Sequence, residues 1–337
     1  MSKGKQSVSK SDSSVSDGGN SVNKGESSVI EDKVYNFMGY AKPALGLSII
    51  LIVISLGSLV FRGLSFGLDF TGGTLIEVEY TQPPVIEEIK QTLTSNGYES
   101  FVVQKFGADT SILVRLQEGF SDEIGLQMVS ALRSSGDSVE LVRSEFVGAQ
   151  VGEELREQGG LGLLLALAMI MLYVAFRFQF KFSVGAVAAL AHDVIITLGI
   201  FSIFQWDFDL NVLAAILAVI GYSLNDTIVV SDRIRENFRK IRVGTSFEII
   251  NISLTQTLSR TIVTGVTTLL VLFALFWFGG EALAGFSRAL IVGVIIGTYS
   301  SVYVASNILL LMGVNKEDLM LPVKEGSEED DGNPIQP

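Results

Sequence analysis

Hydrophobic residues are gathered into six long runs that are almost free of charge. Four of these runs contain no Asp, Glu, Lys, Arg or His: residues 44–61, 159–176, 261–280 and 289–315. Two more cover residues 182–206 and 210–231. The first of these is interrupted only by His192 and Asp193, and the second only by Asp226. Because about 20 apolar residues cross the hydrocarbon core of a bilayer as a helix, the pattern predicts six transmembrane helices.

Between the first two runs, the pattern changes to one typical of a small α/β domain. Strand-like alternation and helical spacing follow one another in the order ββαββαβ, at residues 65–70, 74–81, 84–97, 101–106, 111–117, 121–136 and 139–147. Thr71, Gly72 and Gly73 are turn residues and predict a first hairpin, and Gly107 predicts a second. Ser121 is a candidate cap for the second helix. The order predicts a two-layer sandwich of ferredoxin-like type with its helices on one sheet face.

The predicted fold class is therefore a polytopic α-helical membrane protein, with six transmembrane helices and a ferredoxin-like α/β extracytoplasmic domain between helices 1 and 2. The predicted boundaries are a disordered cytoplasmic tail at 1–40, the first transmembrane helix at 43–62, the extracytoplasmic domain at 64–155, a five-helix bundle at 157–312 and an acidic cytoplasmic tail at 315–337.

Charge supports a membrane location and sets the expected orientation. Only 18% of the residues are charged, against about 25% in a typical soluble domain, and the mean hydropathy is +0.45. Most of the 24 Lys and Arg residues flank the predicted spans on one side. By the positive-inside rule, both termini are expected in the cytoplasm. The Ser-rich first 33 residues lack the apolar stretch of a cleavable signal peptide, so the first span is expected to act as an uncleaved anchor.

Composition also excludes several classes of chemistry. There is no cysteine and only one histidine, which rules out thiolate metal sites, disulfides and His-rich zinc sites, and we expect no cofactor and no metal. The net charge of −12 argues against nucleic acid as a partner. A strand, rather than a helix that opens with a phosphate-binding lysine, follows Gly72 and Gly73, so a nucleotide site is not expected there.

Candidate chemistry lies in the polar residues inside the spans, because an ionisable group at bilayer depth is costly unless it faces a bundle interior or a wet path. Asp226 lies toward the inner third of the fourth span, with Tyr222 one turn before it and Asn225 next to it. Arg260 opens the fifth span. We expect Asp226 and Arg260 to be functional; the alternative is a static ion pair that holds two helices in register.

A polar stripe runs down the fifth span at helical spacing from Arg260. Its other members are Ser253, Gln256, Thr264, Thr267 and Thr268. We interpret this stripe as the face turned into the bundle, which makes Tyr222, Thr264 and Thr268 candidate lining residues.

His192 and Asp193 lie about 15 Å into the third span. Because they are consecutive, their side chains point about 100° apart on a helix. Both are candidate members of a proton relay with Asp226, Arg260 and Asn225. For His192 the favoured interpretation is a structural hydrogen bond across helices.

Three segments together resemble the SecF members of the SecD/SecF protein-export family: residues 66–78 with the motif FGLDFTGGTLIEV, residues 151–193 and residues 220–237. The resemblance covers residues 64–312, and the Ser-rich N-terminal extension departs from it. It implies the half-transporter fold of the resistance-nodulation-division superfamily.

The resemblance also implies roles for particular residues and partners. The intramembrane acid of the family falls on Asp226, its basic residue on Arg260, and its Gly-Gly signature on Gly72 and Gly73, preceded by Asp69. The implied partners are SecD, the SecYEG channel and the translocating polypeptide, with membrane lipid around the bundle and protons as the driving ion. The implied location is the bacterial inner membrane.

The resulting hypothesis is charge switching: a proton neutralises Asp226, releases Arg260 and shifts the helices, which moves the outer domain against an emerging polypeptide. Two alternatives remain open, namely a proton-coupled exporter of lipids or small molecules on the same fold, and a structural assembly subunit. An enzyme is the weakest interpretation, because Asp193 and Asp226 lack the motifs of intramembrane proteases.

Overall fold

The structure is a computed structural model that describes residues 34–98, 101–116, 124–134 and 138–319. In chain order its elements are α1 (Ala41–Phe61), β1 (Ser65–Phe66), α2 (Leu68–Thr71), β2 (Gly73–Tyr80), α3 (Ile86–Ser95), β3 (Phe101–Phe106), β4 (Ala108–Leu116), α4 (Ile124–Arg133), β5 (Val139–Val147), α5 (Ala149–Arg177), α6 (Phe180–Phe204), β6 (Asp207–Phe208), α7 (Leu210–Lys240), α8 (Ser246–Phe278) and α9 (Glu281–Leu311).

Six of these helices are long and apolar enough to cross a membrane, namely α1, α5, α6, α7, α8 and α9. This finding confirms the six predicted spans. Helices α6, α7 and α9 bury the largest share of their residues and form the centre of the bundle, whereas α1, α5 and α8 are mostly exposed at its periphery.

Small residues let the central helices approach closely. A Cβ atom added at Gly293 of α9 would lie 2.1 Å from a methyl of Val219 on α7, and one added at Gly199 of α6 would lie 2.2 Å from Ser55 on α1. No side chain fits at either position, so these glycines set the distance between the helices. The polar groups carried by α6, α7 and α9 are thereby brought close together.

The segment between α1 and α5 folds as a four-stranded antiparallel sheet in the order β3-β4-β2-β5, with α3 and α4 packed on one face. Ile76 and Val78 of β2, Val114 of β4, Leu93 of α3 and Met128 of α4 are buried together. The order of two βαβ units with β2 and β4 in the centre confirms the predicted ferredoxin-like domain.

The predicted first hairpin is wrong. Residues 65–70 do not pair with β2, because β4 and β5 occupy both edges of that strand. Instead Ser65–Phe66 pairs in parallel with Asp207–Phe208, and Leu68–Thr71 forms one helical turn. The glycines that follow serve to end this turn, with Gly72 at a φ of +67°. Alternation over six residues cannot reveal that both edges of the neighbouring strand are already taken.

Short segments at both ends of the described chain pack on the bundle. Met38, which was assigned to the disordered tail, is 2% exposed, and its amide donates to Asn251 Oδ1 of α8 at 2.9 Å. At the other end, Leu319 is buried and Lys181 pairs with Asp318 at 2.6 Å. The predicted tails beyond these segments, at residues 1–33 and 320–337, and the predicted cap at Ser121 lie outside the described residues.

Candidate functional site

Asp226 occupies a buried position on α7 where it faces α8 and is 8% exposed. Its Oδ1 accepts a hydrogen bond from the Thr261 hydroxyl of α8 at 2.8 Å. Its Oδ2 is buried and has no hydrogen-bond partner among the described residues. An unpaired buried carboxylate oxygen is costly, because its hydration has been lost and nothing has replaced it. The site therefore holds a carboxyl group that is only half satisfied.

Arg260 does not form the direct ion pair with Asp226 that the sequence suggested. Among the described residues, no carboxylate lies within 4 Å of its guanidinium, and its charge acts on Asp226 only at longer range. Arg260 is exposed on the side of α8 that faces away from the bundle centre, and it borders a cavity of about 400 Å³ between α7 and α8. Asp232 and Glu236 also line this cavity, but they pair with arginines of their own helix.

The polar stripe predicted on α8 is rotated from the face that turns inward. Thr264 is exposed and Thr268 half-exposed, and both donate to carbonyls of their own helix, so the prediction that Thr264 lines the interior is wrong. The buried face carries Ser253, Thr257, Thr261 and Gly265, so of the predicted stripe only Ser253 lies on it, and Thr261 and Gly265 are each one position, about 100°, from Arg260 and Thr264. Both faces hold hydroxyls at a spacing of four, so the sequence does not distinguish them.

Tyr222 and Asn225 separate to two sides of α7. The Tyr222 side chain is half-buried, and its hydroxyl lies 3.6 Å from the position that a Cβ at Gly265 would occupy, which places Tyr222 against α8. Asn225 is exposed and makes no hydrogen bond with Asp226. It lies one turn before Val229, which lines the Arg260 cavity. Asn225 and Arg260 therefore lie on the same exposed side of the bundle, formed by α7 and α8.

Asp193 of α6 is the more deeply buried of the two span carboxylates, with 0% exposure. Its Oδ2 accepts hydrogen bonds from the hydroxyls of Ser223 on α7 and Ser300 on α9, the latter at 2.7 Å. Its Oδ1 lies 2.9 Å from Nδ1 of His192. Three groups thus surround one carboxylate at the centre of the bundle, which is the pattern expected for a buried polar group that is stably held.

The hydrogen-bond partner of His192 is Asp193, the next residue in the sequence. The prediction of a hydrogen bond across helices is wrong for this side chain, because the Nδ1 contact is to Asp193 and the ring stacks on Tyr299 of α9 with centroids 6.1 Å apart. Its Nε2 is buried without a hydrogen-bond partner among the described residues. The sequence prediction missed Ser223 and Ser300, since serine is common in membrane spans and carries no distinguishing signal.

Consecutive hydroxyls on α9 bring the two carboxylates into one polar region. Ser300 binds Asp193, and the adjacent Ser301 lies 2.9 Å from the Thr227 hydroxyl, which follows Asp226 directly. Polar groups from α6, α7, α8 and α9 therefore meet in the middle of an otherwise apolar bundle. No group of three or more His, Asp or Glu residues that could hold a metal ion occurs within the described ranges.

Asp69, Gly72 and Gly73 lie far from this polar region, at the N-terminal end of α7. The Asp69 Oδ2 accepts from the Leu210 amide, the first residue of α7, at 3.0 Å. Gly72 packs directly on the start of α5. The signature residues are thus part of the contact between the sheet domain and the bundle.

Comparison with known proteins identifies the architecture. Residues 127–315 match the family described as "Protein export membrane protein SecD/SecF, C-terminal", and residues 57–84 match the "SecD/SecF GG Motif". Protein translocase subunit SecF of Pseudomonas aeruginosa is 52% identical over 88% of this chain and 97% of its own length. The chain belongs to the SecF family. SecF of Escherichia coli O157:H7 is 46% identical over 88% of this chain and 94% of its own length.

Solved structures agree with this assignment. The chain is similar to a crystal structure of SecDF, a translocon-associated membrane protein from Thermus thermophilus, with a TM-score of 0.77 and 38% identity over 83% of this chain. A second structure, of SecDF in the Super-membrane-facing form, gives a TM-score of 0.63. The match spans 39% of each SecDF chain. The SecF family member described here is a multi-pass inner-membrane transport component of protein export, rather than a member of an enzyme family.

Proposed function

We propose that this chain helps to drive protein export with the proton motive force, through charge switching at Asp226 and Arg260 in a complex with SecD. The complex acts beside the SecYEG channel on a translocating polypeptide. Both termini lie in the cytoplasm and the sheet domain lies outside, as the distribution of Lys and Arg predicts. The bundle is surrounded by lipid except where SecD covers it.

One observation carries this proposal: Asp226 is buried in the bundle and accepts a hydrogen bond from Thr261 on Oδ1, while its Oδ2 has no partner within hydrogen-bond distance among the described residues. A carboxyl group that is poorly satisfied when ionised can accept a proton at little cost, and its charge then disappears from a medium of low dielectric. Protonation changes the balance between the two helices that Asp226 and Thr261 connect. Asp226 is therefore the group that binds and releases the proton.

Arg260 contributes the opposite charge from the next helix. It lies one residue before Thr261, the direct donor to Asp226, so its guanidinium responds when the carboxylate is neutralised. Arg260 and Asn225 face outward, and an arginine exposed in a membrane span needs a counter-charge or a wet surface. The SecD subunit covers this face and supplies that environment, because six spans form half of the superfamily arrangement.

The energy available is sufficient for a shift of helices. A membrane potential of about 150 mV supplies roughly 3.5 kcal/mol per proton. That amount is enough to convert a bundle from about 5% to about 95% in one of two states. His192 and Asp193, the other two ionisable candidates for the relay, stay outside the switching step, because the satisfied Asp193 keeps α6, α7 and α9 in register while Asp226 changes charge.

The two alternative functions are less well supported. An exporter of lipids or small molecules needs a ligand pocket in the outer domain, whereas the sheet and its two helices are filled by a packed core that includes Ile76, Leu93 and Met128. A purely structural subunit would satisfy its buried charges, as Asp193 does, and would not leave an Asp226 oxygen unpaired. Both observations favour a switching role.

Substitution at Asp226 tests the proposal in the assembled complex. Asp226→Asn keeps the shape and the acceptor for Thr261 but cannot change charge, so export that depends on the proton motive force and proton flux should both fall by at least about tenfold, the effect of 1.4 kcal/mol. Arg260→Met should act in the same direction. The measurements are export into inverted membrane vesicles and the rate at which their acidified lumen loses its pH gradient, because the lumen of such a vesicle is the former extracytoplasmic side.

A matched control is Asp109→Asn, which removes an exposed carboxylate of the β3–β4 hairpin that pairs with Lys105. It should leave export and flux near the level of the unmodified protein. If Asp226→Asn assembles with SecD at normal abundance and keeps normal proton flux, Asp226 is not the switching group and the structural interpretation is correct.

A further inference from the structure

We propose that residues 65–73, here called the junction segment, are the mechanical link through which α7 moves the outer sheet domain, with Asp69 as a positioning residue for α7. This inference rests on the proposed function, because it assumes that α7, the helix that holds Asp226, is displaced when the proton binds. It assigns a physical role to the Gly-Gly signature and to the aspartate before it.

The first contact of the junction segment is with the N-terminal end of α7. The Asp69 carboxylate accepts a hydrogen bond from the Leu210 amide at 3.0 Å, while Asp209, the N-cap of the helix, accepts from the Val212 amide at 2.8 Å. The first amides of a helix have no partner within it, and a carboxylate there also interacts well with the helix dipole. Asp69 is thus a second cap for α7, although it lies 141 residues away from Leu210 in the chain.

Backbone pairing fixes the same segment to the strand that precedes α7. Ser65 pairs with Asp207 and Phe66 with Phe208 in parallel, and the Gly67 amide donates to the Phe208 carbonyl at 2.8 Å. Arg115 of β4 forms an ion pair with Asp207 at 2.8 Å, with side chains 16% and 34% exposed. Main-chain bonds and a partly buried ion pair therefore tie the sheet domain to the residues at the start of α7.

Aromatic packing also holds the junction segment against α7. Phe70 stacks on Phe208 with ring centroids 5.9 Å apart, and Phe66 meets both rings edge to face. Phe70 and Phe208 are also buried against Val212 and Ile216 of α7. Such pairs add specific geometry to the burial of apolar surface, so the segment is held in one orientation on the helix.

The Gly-Gly turn forms the second contact, with α5. A Cβ at Gly72 would lie 2.6 Å from the Ala149 Cα, and a Cβ at Gly152 would lie 2.7 Å from the Gly72 nitrogen. Backbone meets backbone here without room for a side chain. Gly72 also has a positive φ of +67°, a conformation that only glycine adopts without strain. The turn is thereby locked between α7 and α5 and cannot slide along either helix.

The junction segment continues without a loop into the centre of the sheet. Gly73 is the first residue of β2 and pairs with Val147 of β5, and β2 lies between β4 and β5. Asp226 is 16 positions along α7 from Leu210, a distance of about 24 Å along a stiff helix. A displacement of α7 at Asp226 therefore reaches the central strand through residues that are all fixed to one another.

Space beside the junction allows the domain to move about it. A cavity of about 600 Å³ separates the sheet, at Lys105 and Phe106, from the bundle, at Trp206 and Arg288. Packed side chains do not fill this gap, so a small rotation at the junction segment is not blocked there. The junction thus combines a firm attachment with adjacent open space, as a lever requires.

Asp69→Ala in the SecD-containing complex tests whether Asp69 transmits motion. We expect export per proton to fall by about fivefold, the population change that follows the loss of a typical helix cap, while proton flux and assembly with SecD are retained. Asp69→Asn keeps an oxygen that can accept from Leu210 and should restore export. Asp109→Ala, which removes an exposed carboxylate from the β3–β4 hairpin, is the matched control and should change neither quantity.

Two results for Asp69→Ala would overturn the inference: export and flux that are both unchanged, or a parallel loss of both in an assembled complex. The first shows that Asp69 transmits nothing, and the second assigns it to proton conduction. Failure of the proposed function itself is distinguishable, because it is seen as normal proton flux in Asp226→Asn, with Asp69 unmodified.

A disulfide provides an independent test, in which one variant that lacks the Arg115–Asp207 ion pair is compared with itself in the oxidised and reduced states. The chain has no cysteine, so Ser65→Cys with Asp207→Cys creates the only pair, at positions that face each other in the parallel ladder. Neighbouring strands lie about 4.8 Å apart, within the range that a disulfide spans. Because the junction segment works closed, the oxidised complex should export as well as the same complex after reduction. Export that stops on oxidation and returns on reduction would show that the contact opens, which contradicts the proposal.

Discussion

Asp193 and Asp226 are two carboxylates in one bundle, yet their surroundings differ. Asp193 is fully buried and has hydrogen bonds from Ser223, Ser300 and His192, whereas Asp226 accepts one from Thr261 on Oδ1 and, within the part of the chain that the structure describes, none on Oδ2. Donors around a buried anion lower the cost of its charge, and their absence leaves that cost uncompensated. The same residue type can thus hold helices together at one position and be ready to change charge at another.

Position in the bundle accounts for this difference. Asp193 lies where α6, α7 and α9 meet, so donors reach it from three helices. Asp226 lies toward the peripheral helix α8, beside the face that carries Arg260. The charge switch proposed above needs access to protons and to a partner subunit, and a position beside the exposed face of α8 suits both needs. The centre of the bundle provides rigidity instead.

The largest expected effect on stability is at Asp193. Asp193→Ala leaves two serine hydroxyls and a histidine without their common acceptor, so the free energy of unfolding should fall by about 3 kcal/mol or more. Asp193→Asn retains an acceptor oxygen and the side-chain volume and should lose less than half of that. Thermal unfolding of the purified SecD-containing complex measures both. Equal losses in the two variants would mean that the network of donors is not what stabilises this position.

Asp226 should show the opposite balance between stability and activity. Asp226→Ala removes one hydrogen bond and an oxygen that is unpaired, so we expect a change in the free energy of unfolding of about 1 kcal/mol or less. Export driven by the proton motive force should nevertheless be lost. Unfolding and export measured on the same preparation check the pair of expectations. A loss of stability as large as that of Asp193→Ala would remove the distinction between the two carboxylates.

Sequence patterns predicted the parts of this structure that depend on burial in lipid or in a core. Long apolar runs predicted all six spans, and alternation predicted β5 at residues 139–147 with both ends correct. These patterns suffice because an apolar run or an alternating segment has few ways to satisfy its backbone and bury its side chains. The choice of Asp226 as a candidate functional residue also followed from the cost of an ionisable group in a membrane span.

Relations between elements were harder to predict. The stripe on α8 was assigned to the wrong face because Thr264 and Thr261 are equally polar and differ only in which neighbour they meet. The pairing of β1 with β6 joins residues more than 140 positions apart, and a two-residue strand carries no pattern of its own. The distinction between Asp193 and Asp226 likewise depends on serines from other helices, and the sequence does not indicate which serines meet which carboxylate.

The smallest expected effect concerns a third carboxylate, Asp209, which is half-buried at the N-terminal end of α7 and is therefore intermediate in burial. Burial, together with the charges of Asp69 and Asp207, raises its pKa, although its bond from the Val212 amide opposes the shift. A carboxyl group whose pKa is raised on folding adds stability when protonated. That contribution is fully present below the ordinary aspartate pKa of about 4 and is lost as the pH rises through the raised value.

Asp209→Asn isolates this contribution, because asparagine caps a helix as well as aspartate does but carries no charge. At pH 7.5 the variant should be as stable as the unmodified complex or slightly more stable, since repulsion from Asp69 and Asp207 is removed. As the pH is lowered toward 4.5, the unmodified protein should gain stability relative to the variant, and the difference in Tm followed across that interval measures the gain. A constant difference would mean that Asp209 does not titrate in this window. Burial with few donors would then not be enough to prepare a carboxyl group for protonation, and the contrast between Asp193 and Asp226 would have to depend on the charge of Arg260 instead.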